Sequence, residues 1–178
     1  MICLRLLLML PSLATGASGA DDSERLVKAA YLYNFGVYTR WPREIKTFRI
    51  GVLDEDAFAD VLVALADAKK TIQDKRIEVV RFSEPDQVSE CEILFLPSGR
   101  EFEKVAEKVK GKGVLLVTHE AGLGERGSMI NFYLDAGKVK FEINRQTLDQ
   151  EKLRVDYRVL SLGKMVGEAR ATAEVGAP

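Results

Sequence analysis

Apolar and polar positions along the chain alternate between two periods. Residues 48–54, FRIGVLD, form a short apolar run that predicts a strand, and residues 56–70, DAFADVLVALADAKK, follow with Phe58, Val61, Leu62 and Leu65 at helical spacing. RIEVVRF (76–82) predicts a second strand, closed by the acidic turn SEPDQ, and EILFLP (92–97) a third. REFEKVAEKVKGKG (100–113) places Phe102, Val105, Ala106 and Val109 on one helical face, with Gly111 at its end, and VLLVTH (114–119) is a fourth strand. Nearly continuous apolar strands separated by amphipathic helices predict a largely parallel sheet covered on both faces, because a strand buried on both sides loses its polar alternation. The rhythm then changes. MINFYLD (129–135) and KVKFEIN (138–144) alternate at period two around Ala136-Gly137, a hairpin signal. A last stretch, 153–166, sets Val155, Val159, Leu162 and Val166 on one stripe and predicts a final helix. The expected fold is therefore an α/β three-layer sandwich with a C-terminal hairpin and closing helix over residues 21–167. Residues 168–178 carry no packing pattern and read as a loose tail.

Before the first strand, KAAYLYNFGVYTRWP (28–42) holds an uncharged run from Ala29 to Thr39 and aromatic residues at 31, 33, 35, 38 and 41. It is too short to span a bilayer, and Ser23 of SERL stands ready to cap a helix. Apolar residues occupy almost every side of that helix, so it fills a core, is completed by another chain, or does each with one face. The tyrosine hydroxyls favour a wet or polar edge. Residues 1–20 read as a secretory leader: Arg5, then a leucine-rich run, then the small-residue site Ser18-Gly19-Ala20 before DDSER.

Charge and cysteine usage narrow the function classes. The formal net charge is −1 and no basic block exceeds two residues, so the electrostatic footprint of a nucleic-acid binder is missing. Cys3 would leave with the leader, so Cys91 stands alone at the start of a buried strand and no disulfide supports the exported fold. Its reading is a structural thiol, since no histidine lies near to activate it.

Candidate chemistry is sparse. GLGERG (122–127) matches a dinucleotide fingerprint, yet a strand rather than a helix follows it, and the phosphate-binding helix N-terminus is lacking. His119 is the single histidine; a zinc site would have to recruit Glu120 and Glu125, and a nucleophile would have His119 as its one conventional base. Ligands of parallel sheets collect beyond the carboxyl ends of strands, an edge that gathers Asp54, Ser83, Ser98, Arg100 and His119 as a small-ligand crevice. Asp56 and Ser98 also read as helix caps. No constellation compels catalysis, and no cofactor or metal is indicated.

VKAAYLYNFGVYTRWP, FRIGVLDEDAF, CEILFLP and GLGERGSMINFYLDAGKVKFEINRQT together resemble the ordered blocks of the YfiR-like periplasmic proteins, across nearly the whole chain. The resemblance implies a periplasmic repressor without catalytic residues. Such a protein holds the periplasmic sensor part of an inner-membrane diguanylate cyclase inactive, lowering cyclic di-GMP and biofilm formation. It implies release by an OmpA-like outer-membrane lipoprotein and a habit of self-association that makes a homodimer an expectation. A small-ligand-sensing subunit of another membrane receptor, such as a sensor kinase, is the alternative. Some members carry disulfides, for which Cys91 has no partner. The contact set expected for the client is Tyr31, Phe35, Tyr38, Arg40 and Trp41, because interfaces concentrate energy in aromatic and arginine anchors. Glu125, Arg126, Gly127, Asn131, Glu142 and Asn144 fall in family blocks, with turn and hydrogen-bond structure as their expected role.

Overall fold

A computed structural model describes residues 17–167. The leader expected over 1–20 lies outside them as far as residue 16, and the expected tail 168–178 lies outside them entirely.

A long first helix, α1 (Ala17–Tyr38), leads into the short strand β1 (Thr39–Arg40). Then come β2 (Phe48–Leu53), α2 (Asp56–Lys69), β3 (Thr71–Ile72), β4 (Lys75–Phe82), β5 (Ile93–Leu96), α3 (Phe102–Val109) and β6 (Leu115–Thr118). The hairpin is β7 (Ile130–Asp135) and β8 (Lys138–Asn144). The chain finishes with α4 (Arg145–Gln150), β9 (Arg154–Val155), α5 (Tyr157–Leu160) and β10 (Lys164–Val166). Eight strands form one sheet in the order β10-β8-β7-β6-β5-β2-β4-β3. Its centre is parallel; β3–β4 and β7–β8 pair antiparallel. β1 and β9 make a separate antiparallel ribbon.

The expected layers are present. On one face α1 and α2 pack side by side. Phe35 of α1 stacks 5.9 Å from Phe132 and meets Phe141 edge-on at 5.1 Å, while Phe58 of α2 lies 4.5 Å from Phe95. Phe95 and Val117 are register partners, so Leu94 and Leu116, one residue away, point to the opposite face. There Leu116 shares a cleft with α3 and α4. The close seating of α1 depends on Gly36, where a Cβ would meet Ile72 Cδ1 at 2.8 Å and the Phe48 ring at 3.0 Å.

Four details depart from expectation. Ser23 lies inside α1, which begins at Ala17, so it caps nothing. Asp56 opens α2 from within, and the cap position is Glu55. A hairpin not foreseen joins β3 to β4 through Gln73 and Asp74, both at positive φ (50° and 62°), the twist that suits a two-residue turn. The expected helix over 153–166 is broken into β9, α5 and β10. Pairing decides it: β8 offers an open edge, and Lys164–Val166 fills it in parallel register with Glu142–Asn144. Leu162, counted on the helical stripe, is 70% exposed as a result.

Candidate functional site

α1 presents two faces of different character. Lys28, Ala29, Leu32, Phe35 and Gly36 form its buried stripe. The opposite side carries Leu26 (60% exposed), Val27 (42%), Ala30 and Asn34. One face of the helix completes the core, and the other leaves aliphatic surface in water. Exposed aliphatic side chains on a helix otherwise bounded by charge are the kind of surface that partners cover.

The expected contact residues divide between these surfaces. Phe35 is a correction: at 1% exposure it is sealed among Tyr31, Phe132 and Phe141, so no partner reaches it. Tyr31 is half-buried in the same aromatic cluster. Tyr38 is half-buried beneath Arg158, whose guanidinium lies 5.0 Å from its ring centre. Arg40 is exposed on β1. Trp41 is turned inward, edge-on to Phe48 at 5.2 Å, with Nε1 donating to Glu92 O at 3.3 Å. The Glu92 carboxylate, 3% exposed, takes Arg43 Nη1 at 2.7 Å and Arg49 N at 2.6 Å. This network ties the chain after α1 to the start of the central strands. Leu26 and Val27 were missed because they precede Lys28, the charged residue just before the uncharged run; carrying the helical period back by one turn from Ala30 finds them.

At the carboxyl edge of the sheet, Asp54, Ser83, Ser98 and Arg100 line one open cleft of about 390 Å³ together with Leu53, Glu84 and Glu101. Ser98 caps the 3-10 turn Gly99–Glu101 by accepting from Arg100 N at 3.3 Å. His119 does not join that cleft. Its imidazole turns to α1, where Nδ1 lies 2.5 Å from Lys28 Nζ and Nε2 lies 3.8 Å from Glu24 Oε1. Lys28 in turn holds Glu24 Oε1 at 2.5 Å. Burial and the neighbouring Lys28 ammonium push the His119 pKa below its ordinary 6.5, against a smaller opposing pull from Glu24. A neutral ring therefore accepts from Lys28, and the histidine fastens the middle of α1 to the end of β6. At the start of α2, burial raises the Glu55 pKa although Lys28 and Arg25 of α1 pull it down.

The glycine-rich connection leads into β7, so no helix N-terminus faces it. Asn131, 1% exposed, accepts from Thr118 Oγ1 at 2.7 Å and Glu120 N at 3.2 Å and donates to Glu142 Oε2 at 3.3 Å. Asn144 caps α4 through Thr147 N and donates to Gly124 O at 2.9 Å. Arg126 pairs with Glu103 and lies over the Phe102 ring; Gly127 sits at φ +115°, and Glu125 is exposed. Cys91 is fully buried and unpaired, and burial drives its thiol pKa up to about 12, which keeps it an unreactive neutral thiol.

Comparison with known sequences matches residues 25–164 to a family described as YfiR/HmsC-like. Among solved structures, the ABC domain from Streptococcus pneumonia in complex with L-Trp is similar at 12% identity and a TM-score of 0.46. The match covers 67% of this chain and 55% of that one, so the chain spans little more than half the length of that relative.

Proposed function

Because the chain belongs to the YfiR/HmsC-like family, whose members are periplasmic regulators in cyclic di-GMP signalling, we propose that it is a repressor acting by contact. It binds the periplasmic sensor part of an inner-membrane diguanylate cyclase in its inactive state. The observation that carries this reading is the outward aliphatic face of α1, with Leu26 at 60% and Val27 at 42% exposure on a helix whose other face is anchored in the core. A rigidly seated helix meets a groove without paying to order itself.

Repression needs no covalent step. A partner that prefers the inactive receptor shifts the population by its differential affinity, and moving a receptor from mostly active to mostly inactive takes a preference of about 10⁴-fold. An OmpA-like outer-membrane lipoprotein that covers the same face would release the receptor by mass action.

The test is capture of the purified protein by the immobilised sensor segment, compared with the Leu26→Asp/Val27→Asp variant. Loss of capture in the variant, with an unchanged melting temperature, supports the reading. Equal capture refutes the face. If light scattering shows the wild type to be a dimer and the variant a monomer, a second copy covers the face instead.

The cleft of about 390 Å³ around Asp54, Ser98 and Arg100 favours a second reading, a subunit that senses a small ligand for a membrane receptor. A thermal-shift screen of small polar solutes tests it: a shift abolished by Arg100→Ala supports it, and no shift from any solute removes it.

A further inference from the structure

The C-terminal end of α1, the β1–β9 ribbon and the start of α5 surround an open cleft of about 430 Å³. Its walls bring together three arginines, Arg40, Arg154 and Arg158, against a single acidic residue, Asp156. Arg40 and Arg154 are direct partners across the antiparallel ribbon. Like charges set opposite each other on paired strands repel, so the ribbon carries an electrostatic cost. Asp156 does not relieve it. Its Oδ1 accepts from Arg158 N at 2.9 Å and lies 3.3 Å from Arg158 Nε. Arg40 and Arg154 make no ion pair among the described residues.

An internal use for this charge would be the negative end of α1, whose last carbonyls carry the helix dipole. Those carbonyls are already taken. Gln73 Nε2 donates to Gly36 O and to Thr39 O, each at 2.7 Å, and Asp156 N donates to Tyr38 O at 2.8 Å. Nor is general basicity the cause, since the chain's formal net charge is −1. Two arginines are therefore held side by side at an open mouth with nothing in the described fold to neutralise them. The cleft also continues the outward face of α1, because Tyr38 in its wall follows Asn34 by one helical turn.

We propose that this cleft receives an acidic segment of the partner protein, with its carboxylates paired to the Arg40 and Arg154 guanidinium forks. Arginine suits that task because its planar donors match a carboxylate two at a time. The proposal rests on the reading that the protein acts by binding a partner, but the cleft can be examined without that partner.

The experiment titrates the purified protein into fluorescein-labelled hexaglutamate at low ionic strength, where charge pairing is least screened. Labelled hexalysine is the opposite-charge arm and inorganic phosphate the competitor. Hexaglutamate binds and hexalysine does not. Arg154→Glu weakens hexaglutamate binding by about tenfold or more, as loss of a charged contact should. The same variant melts at a higher temperature than the wild type, because Arg40 then faces an opposite charge. Lys138→Glu, an exposed charge reversal elsewhere, leaves binding within about twofold. The proposal is overturned if Arg154→Glu binds hexaglutamate as the wild type does, or if Lys138→Glu loses as much. A lower melting temperature in Arg154→Glu also overturns it, since the arginine is then structural. So does phosphate binding without hexaglutamate binding, which assigns the cleft to a small oxyanion. Capture by the cyclase segment without hexaglutamate binding sinks the cleft and spares the function. Arginine-dependent hexaglutamate binding without capture supports the cleft and sinks the cyclase as client.

Discussion

His119 shows how one side chain ties local chemistry to the posture of the candidate binding helix. It is half-buried and faces Lys28 and Glu24 from α1. Its folded pKa lies below 6.5, so as pH falls through 6.5 the unfolded chain takes up a proton before the folded chain does. The stabilising contribution of the neutral ring is complete above 6.5 and is lost as pH falls toward the folded value. Glu55, with a raised pKa, works in the opposite sense at lower pH, and it does so equally in any His119 variant. Melting temperatures between roughly pH 7 and pH 5 therefore fall more steeply in the wild type than in His119→Gln. Parallel profiles would mean that the Lys28–His119 contact carries no linkage.

At the scale of the element, α1 separates a core role from a proposed contact role within one helix. Phe35→Ala removes a ring packed against Tyr31, Phe132 and Phe141 and is expected to cost about 3–5 kcal/mol in denaturant unfolding. Leu26→Asp, on the outward side, is expected to change stability by less than about 0.5 kcal/mol. Similar losses in both would place Leu26 in the core and leave α1 without an exposed aliphatic face. The two-faced nature of this helix was legible in the sequence as apolarity on nearly every side, but which aromatic went inward was not. Phe35 and Tyr38 differ in where α1 lies over β7 and β8, and that crossing is set by residues about a hundred positions away. The parallel centre was legible because Ile93–Leu96 and Leu115–Thr118 are short apolar runs bounded by polar turns. The end of the chain was not. Val155, Val159 and Val166 fit a helical stripe, yet the edge of β8 recruits Lys164–Val166 as a strand. A local period cannot announce a partner strand that lies elsewhere in the chain.

Across the whole molecule, the candidate features occupy separate places. The cleft of Asp54, Ser98 and Arg100 opens at the carboxyl edge, the arginine cleft lies at the far end of α1, and the aliphatic face runs along α1 itself. The sequence foresaw most of the carboxyl-edge cleft because the ends of parallel strands follow from strand order alone. It placed His119 there as well, since nothing local reveals that Lys28 and Glu24 would draw the ring toward α1. The arginine cleft was not foreseen, because it joins Arg40 to Arg154 through a ribbon of two residues per strand. The aliphatic face and the arginine cleft belong to the proposal that the molecule holds a receptor in its resting shape, whereas the carboxyl-edge cleft belongs to the ligand-sensing alternative. The most direct measurement titrates the purified protein onto membranes bearing the diguanylate cyclase and follows the rate of cyclic di-GMP synthesis. A repressor gives a saturable fall in that rate, lost in Leu26→Asp/Val27→Asp. A rate that stays constant at a large excess of folded protein would contradict repression.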